Sequence, residues 1–217
     1  MTMTLAQLEP IAEALRKNNM TAYCVKSKEE VVPLVKNLLH RGEAVAVGGS
    51  MSLFETGVID LLRSGDYRFL DRYAKNLTPE ELEDIYRNSL LADVFLCSSN
   101  AVTQNGELYN VDGRSNRIAP IAFGPKTVVM VVGCNKIVED LSAASRRVKT
   151  VAAPLNAKRL HCQTYCAIKG VCQAVDGKEY TDGCGSPGRI CVNYLISARQ
   201  RIPNRIHVIL VGESLGF

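Results

Sequence analysis

The sequence predicts an α/β fold of three layers, a mixed sheet flanked by helices, with a cysteine-rich loop inserted into it. Three observations predict it. Amphipathic stretches alternate with short apolar runs along the chain. An Asn-Gly pair separates two strand-like runs. One glycine-rich segment near the C-terminus keeps no period at all.

The elements follow in order. Leu5, Leu8, Ile11, Ala12 and Leu15 recur at helical spacing, so the chain opens on an amphipathic helix. Thr21–Lys26 reads as a strand, and Glu29–Leu39 as a helix with Val31, Leu34, Val35 and Leu38 on one face. Glu43–Val47 is a short buried strand that runs into Gly48-Gly49-Ser50, and a helix through Leu53, Val58, Leu61 and Leu62 stops near Gly65. Thr78-Pro79-Glu80-Glu81 supplies an N-cap, a proline at the first helical position and the third-position glutamate of a capping box. The helix it starts carries Leu82, Ile85, Leu90 and Leu91, and Asp93–Cys97 is the next strand. Ala101–Gln104 and Glu107–Val111 flank Asn105-Gly106, whose residues accept the positive φ of a tight hairpin turn. Asp112-Gly113 marks a second turn, leading into Arg117–Phe123. Thr127–Val132 reads as a strand buried on both faces. Ile137–Thr150 is helical, Asn156–Leu160 is a short helix, and Ile206–Val211 is the last strand. The hairpins argue against a purely parallel sheet. The chain is read as one domain over residues 1–217, with the cysteine-rich insertion at 161–191.

Composition excludes several classes. The 217 residues are 47% hydrophobic and 22% charged, ordinary globular usage that rules out a disordered chain. The net charge is only +4, the basic residues are dispersed and Trp is absent, so no nucleic-acid surface is expected. No apolar run reaches the roughly 18 residues of a membrane span. The first ten residues carry neither a basic nor an apolar leader region, so a cytoplasmic location is expected.

Eight cysteines are present, and five of them, Cys162, Cys166, Cys172, Cys184 and Cys191, fall within 30 residues. A reducing compartment disfavours disulfides, so clustered thiols there read first as metal ligands. Zinc sites pair their cysteines in tight knuckles, and only Cys162 and Cys166 are that close. Looser spacing on a glycine-rich loop suits an iron–sulfur cube, whose corners are spread apart. Structural zinc and reduced thiols or disulfides are the alternatives.

Three further segments point to an anionic ligand. Gly48, Gly49 and Ser50 lie where a strand turns into a helix, a geometry that aims free N–H groups at an anion. The plainer reading is that Ser52 and Glu55 form a capping box. Neither a phosphate-binding Lys-Ser/Thr nor a G-x-G-x-x-G pattern follows. Asp112, Arg114, Asn116 and Arg117 stand within eight residues of Asn110, enough charge to hold a carboxylate or phosphate, or simply a solvated turn. Lys136 follows Gly133-Cys134-Asn135 just past a buried strand, where open α/β sheets bind ligands, although an exposed lysine in a tight turn reads the same way. Glu55 is the candidate base or nucleophile.

Taken together, Gly48-Gly49-Ser50-Met51-Ser52 with Glu55 and Gly57, Ser99-Asn100-Ala101-Val102-Thr103, Gly106-Glu107-Leu108, Asp112-Gly113 with Asn116-Arg117, Phe123-Gly124-Pro125-Lys126, Asn135-Lys136, Ala153–Leu160 and Leu210–Phe217 resemble the LUD (lactate-utilisation) domain family. The order of these segments carries the likeness, and it spans nearly the whole chain. The resemblance implies a fold like that of ribose-5-phosphate isomerases and coenzyme A transferases. It implies Cys166, Cys172, Cys184 and Cys191 as ligands of a cluster, read as [4Fe-4S], in the cysteine-containing branch, and leaves Cys162 spare. Relative to that branch, the second and third of these cysteines stand farther apart, separated by Gln173–Gly183.

The expected function is an iron–sulfur electron-transfer subunit in the oxidation of L-lactate to pyruvate. It would work with iron–sulfur oxidoreductase partner proteins and a small organic acid or phosphorylated ligand. No flavin or nicotinamide motif is present, so hydride chemistry is expected on another chain and this one is a component rather than a complete enzyme. The alternatives are a small-molecule enzyme for a sugar phosphate or acyl substrate with a structural zinc, and a redox-sensing regulatory module.

Overall fold

The computed structural model describes residues 1–217. Helix α1 (Leu5–Lys17) starts on a capping box between Thr4 and Gln7 and buries Leu8, Ile11, Ala12 and Leu15. Strand β1 is Thr21–Val25, α2 is Val31–Leu38 and β2 is Ala44–Val47. The expected helix after β2 is two helices, α3 (Met51–Glu55) and α4 (Val58–Leu62), because Gly57 between them takes a left-handed conformation at φ 75°. Strand β3 (Arg68–Leu70) is only three residues long and has no readable period. Helix α5 (Pro79–Asn88) has the capping box of Thr78 and Glu81. It ends before Leu90 and Leu91, and Leu91 is exposed.

Strands β4 (Val94–Cys97), β5 (Ala101–Thr103) and β6 (Leu108–Asp112) follow. Residues Ile118–Ala122 after the second turn form a short helix, α6. Strand β7 (Thr127–Gly133) leads into a 3-10 turn and β8 (Ile137–Val138). The helix expected from Ile137 therefore starts later, as α7 (Leu141–Arg147), where the Asp140 side chain accepts from the Ala143 N–H at 2.8 Å. It continues through a π-helical turn (Val148–Ala152) into α8 (Ala153–Arg159). A short helix α9 (Tyr165–Lys169), β9 (Asn193–Ser197) and β10 (Ile206–Val211) complete the chain.

The three-layer α/β architecture is present, and its strand directions segregate. Six strands form one wholly parallel sheet in the order β1-β10-β7-β4-β2-β3. The Asn105-Gly106 hairpin leaves that sheet and founds a second, mixed one in the order β8-β5-β6-β9. The hairpin turn is pressed against α1: a Cβ on Gly106 would stand 2.6 Å from the Ala14 carbonyl carbon.

Strand alternation divides the interior. Val129 and Val131 of β7 pack with Val31, Leu53, Ile59 and Leu62 of the helices on one face. Val128, Met130 and Val132 pack on the other face with Leu8 and Leu15 of α1 and with Val102 and Leu108 of the small sheet. Ala101 and Tyr109 point away from the main sheet and meet Ala144 and Val148. The small sheet is thus the outer half of the third layer, and α7 covers it.

Candidate functional site

Strand β2 continues to β3 on one side, while its neighbour β4 continues toward β7 on the other. Such a switch point leaves a crevice at the carboxyl ends of the strands. Here it is a cleft of about 310 Å³ lined by Gly49 and Ser50 after β2, Ser98, Ser99 and Asn100 after β4, and Lys136 after β7. Arg72, Tyr86, Arg114 and Arg117 enclose it from the sheet's edge and the second turn, and Asn156 and Arg159 from α8.

Its charge is one-sided. Arg72, Arg114, Arg117, Lys136 and Arg159 line it, against Asp112 as the acidic side chain. They are not equivalent. Arg117 is buried and fully engaged: Nη1 donates to Ser98 O at 3.1 Å and Asn110 Oδ1 at 2.5 Å, and Nη2 donates to Asn100 Oδ1 at 2.7 Å and Val111 O at 2.8 Å. It builds the floor rather than meeting a ligand. Arg114 pairs with Glu83 at 2.8 Å. Arg72 donates to the Tyr86 hydroxyl at 2.9 Å and lies over that ring, and Arg159 bonds only Asn156 Oδ1. Neither is in an ion pair, so both keep a charge for a ligand. Asp112 accepts the N–H groups of Arg114 and Arg117 and so shapes the turn. Asn116 also lines the cleft.

Lys136 is buried rather than an exposed turn lysine. Its Nζ donates to Ser52 Oγ at 2.9 Å and Ser98 Oγ at 3.0 Å and has no carboxylate partner. Desolvation, with Arg147 and Arg117 adding repulsion, brings its amine down to about 7. Ser50 Oγ is buried in the same cleft without a hydrogen-bond partner.

Two sequence-derived residues play other parts. Glu55 does not line the cleft: its carboxylate accepts the Gly216 N–H at 2.8 Å. The capping box of Ser52 and Glu55 does not form, because Ser52 Oγ turns to Leu215 O and Lys136. Gly48 donates its N–H to Leu96 O at 2.8 Å and is set back from the cleft, so it contributes shape rather than a free donor. Arg72, Tyr86 and Arg159 were invisible as site residues in the sequence. Arg72 and Tyr86 stand on segments far from the motifs, Arg159 lies within the Ala153–Leu160 segment without being marked as a site residue, and only the fold brings the three together.

The cysteine segment forms a second site beside the first. Cys166 on α9, Cys172, Cys184 and Cys191 all line one narrow cavity of about 20 Å³, with Tyr109, Tyr194 and Lys149. Cys162 does not line it, and all eight cysteines are free thiols. No three or more His, Cys, Asp or Glu side chains meet in the geometry of a single bound ion. Arg189 holds the loop by donating to Thr181 O at 2.7 Å, Cys184 O at 3.2 Å and Cys191 O at 2.9 Å. Burial pushes the Cys172 thiol above its usual range. Burial acts the same way at Cys184, but hydrogen bonds with Ser186 outweigh it and bring that thiol below. Four soft thiol donors, from separate turns of one glycine-rich segment, line one mostly apolar cavity, and thiols are the donor type that an iron–sulfur cluster takes.

A parallel sheet with a cationic crevice at its switch point, and a cysteine-lined chamber alongside, defines an α/β protein of the open-sheet class. The family model of the LUD domain matches residues 8–211, and the chain belongs to the LUD (lactate-utilisation) domain family. No curated protein matches it. Among solved structures it is similar to a DUF162 family protein from Deinococcus radiodurans at a TM-score of 0.52 and 15% identity, covering 97% of this chain and 99% of that one. That likeness is one of fold. No helix is long and apolar enough to cross a membrane.

Proposed function

We propose that this chain is the iron–sulfur, electron-transferring component of a cytoplasmic system that oxidises L-lactate to pyruvate. The family gives the metabolic setting. The observation that carries the electron-transfer role is the convergence of Cys166, Cys172, Cys184 and Cys191 on one cavity, from which Cys162 is left out. A cluster bound there supplies a one-electron carrier. The chain's own residues do the rest. The four thiolates ligate, Tyr109 and Tyr194 wall the chamber against water, and Arg189 fixes the loop carbonyls. In the adjoining cleft Arg72 and Arg159 bind the carboxylate of an organic acid. Partner iron–sulfur oxidoreductases exchange electrons with the chain and carry out the hydride chemistry. The test is iron and acid-labile sulfide analysis of anaerobically purified protein, with its visible spectrum. About four iron and four sulfide per chain are expected. One zinc per chain and no colour overturns the reading.

A second reading is favoured by the cleft alone. Five cations lining one cleft also suit a sugar phosphate or acyl substrate, with zinc stapling the loop. Stabilisation by sugar phosphates but not by lactate, measured as a rise in melting temperature, selects it.

A further inference from the structure

We propose that the cleft captures a 2-oxo acid covalently, as an imine on the Lys136 amine, with Arg72 and Arg159 holding the acid's carboxylate. This rests on reading the cleft as a carboxylate site and goes beyond it in naming the ligand class and the bond. Lys136 is 3% exposed, yet it lines the cleft. A buried lysine is ordinarily neutralised by a carboxylate. This one meets two hydroxyls, Ser52 and Ser98. The charges acting on it are mostly of its own sign, Arg147 and Arg117, with Glu55 and Cys97 opposing them more weakly. An ammonium placed among cations and short of solvent gives up its proton, and the neutral amine is a nucleophile. The second requirement is recognition of an acid next to a carbonyl. Arg72 lies over Gly49, its Nη1 3.9 Å from where a Cβ there would stand, and Arg159 reaches in from α8. Neither has a carboxylate partner in the protein.

The step balances without an oxidant or reductant. The Lys136 lone pair attacks the keto carbon, and the C=O π pair moves to oxygen. That oxygen takes the proton released by the attacking nitrogen, with the Ser52 and Ser98 hydroxyls placed to relay it. The nitrogen's second proton passes to that hydroxyl, which leaves as water as the nitrogen lone pair forms C=N. The net change is amine plus ketone to imine plus water.

The test uses the full chain with pyruvate as probe and cyanoborohydride as reductant, read by intact mass and peptide mapping. The expected result is one reduced adduct, on the peptide carrying Lys136, lost in Lys136→Arg and reduced severalfold with the uncharged methyl ester of pyruvate. Mapping the unaltered chain keeps the test valid even if the variant does not fold. No adduct at Lys136, or adducts spread over exposed lysines, overturns the proposal. Lactate, which has no keto group, is titrated in parallel by calorimetry. If lactate binds and pyruvate leaves no adduct, covalent capture fails and the carboxylate cleft stands. If neither binds, both fail.

Discussion

The stem of Arg117 fills the space that a side chain on Gly48 would need. A Cβ at residue 48 would stand 2.8 Å from Arg117 Cγ, 3.0 Å from its Cδ and 3.1 Å from Cys97 Cβ. The glycine after β2 is therefore a packing requirement set by an arginine from the second turn, 69 positions along the chain. The guanidinium head is held by four hydrogen bonds, so the stem cannot swing aside.

Gly48→Ala is accordingly expected to destabilise the protein by about 1–3 kcal/mol, the usual cost of overpacking. Denaturant unfolding measures it directly. An unchanged midpoint would mean that the Arg117 stem has room to move.

The depressed amine of Lys136 has a stability signature. In the folded state it titrates near 7, and in the unfolded chain near 10.5. Between those values the unfolded state binds the extra proton, so stability rises with pH, by at most about 1.4 kcal/mol per pH unit. Below pH 7 both states are protonated and this contribution is flat. The groups facing the amine are Arg117, Arg147, Glu55 and Cys97. Lys136→Met should lose the rise between pH 7 and 10 relative to the unaltered protein, as read by urea unfolding at several pH values.

Ser50→Ala tests the orphaned hydroxyl. Removing a buried group with no partner should leave stability of the free protein unchanged or raise it by up to about 1 kcal/mol. It should also weaken stabilisation by an organic acid, if the hydroxyl serves the ligand. The melting temperature, with and without lactate, reads both.

The cysteines separate cleanly. On the proposed iron–sulfur reading, Cys172→Ser should abolish visible absorbance of anaerobically purified protein, while Cys162→Ser should leave it intact, because Cys162 lies outside the cavity. Loss of colour in both variants would redraw the ligand set.

Much of the fold was legible in local pattern. The Thr78–Glu81 capping box, the Asn105-Gly106 turn and the apolar runs of β7 and β10 each state their own structure. Less legible was the division of the strands between two sheets. Strand β9, half-exposed and lying after the cysteine segment, lacks a strong alternation, yet it pairs with β6 over five residues. The pieces of the cleft behaved similarly. Lys136 and Ser50 stood beside readable strand ends, but the partners of the buried lysine, Ser52 on α3 and Ser98 just after β4, arrive from elsewhere in the chain. Arg72 carried no local signal, and Arg159, though inside the Ala153–Leu160 segment, did not stand out there, since an unpaired arginine on a surface segment looks like any solvated one.

The π-helical turn Val148–Ala152 is a party wall. Val148 and Lys149 face the cysteine chamber, and Ala152 faces the cleft. The Lys149 carbonyl also holds the Cys172 N–H at 2.8 Å. That turn and its hydrogen bond are structure the two rooms have in common. Any factor by which a filled chamber changes the cleft's affinity is returned in equal measure by the cleft to the chamber.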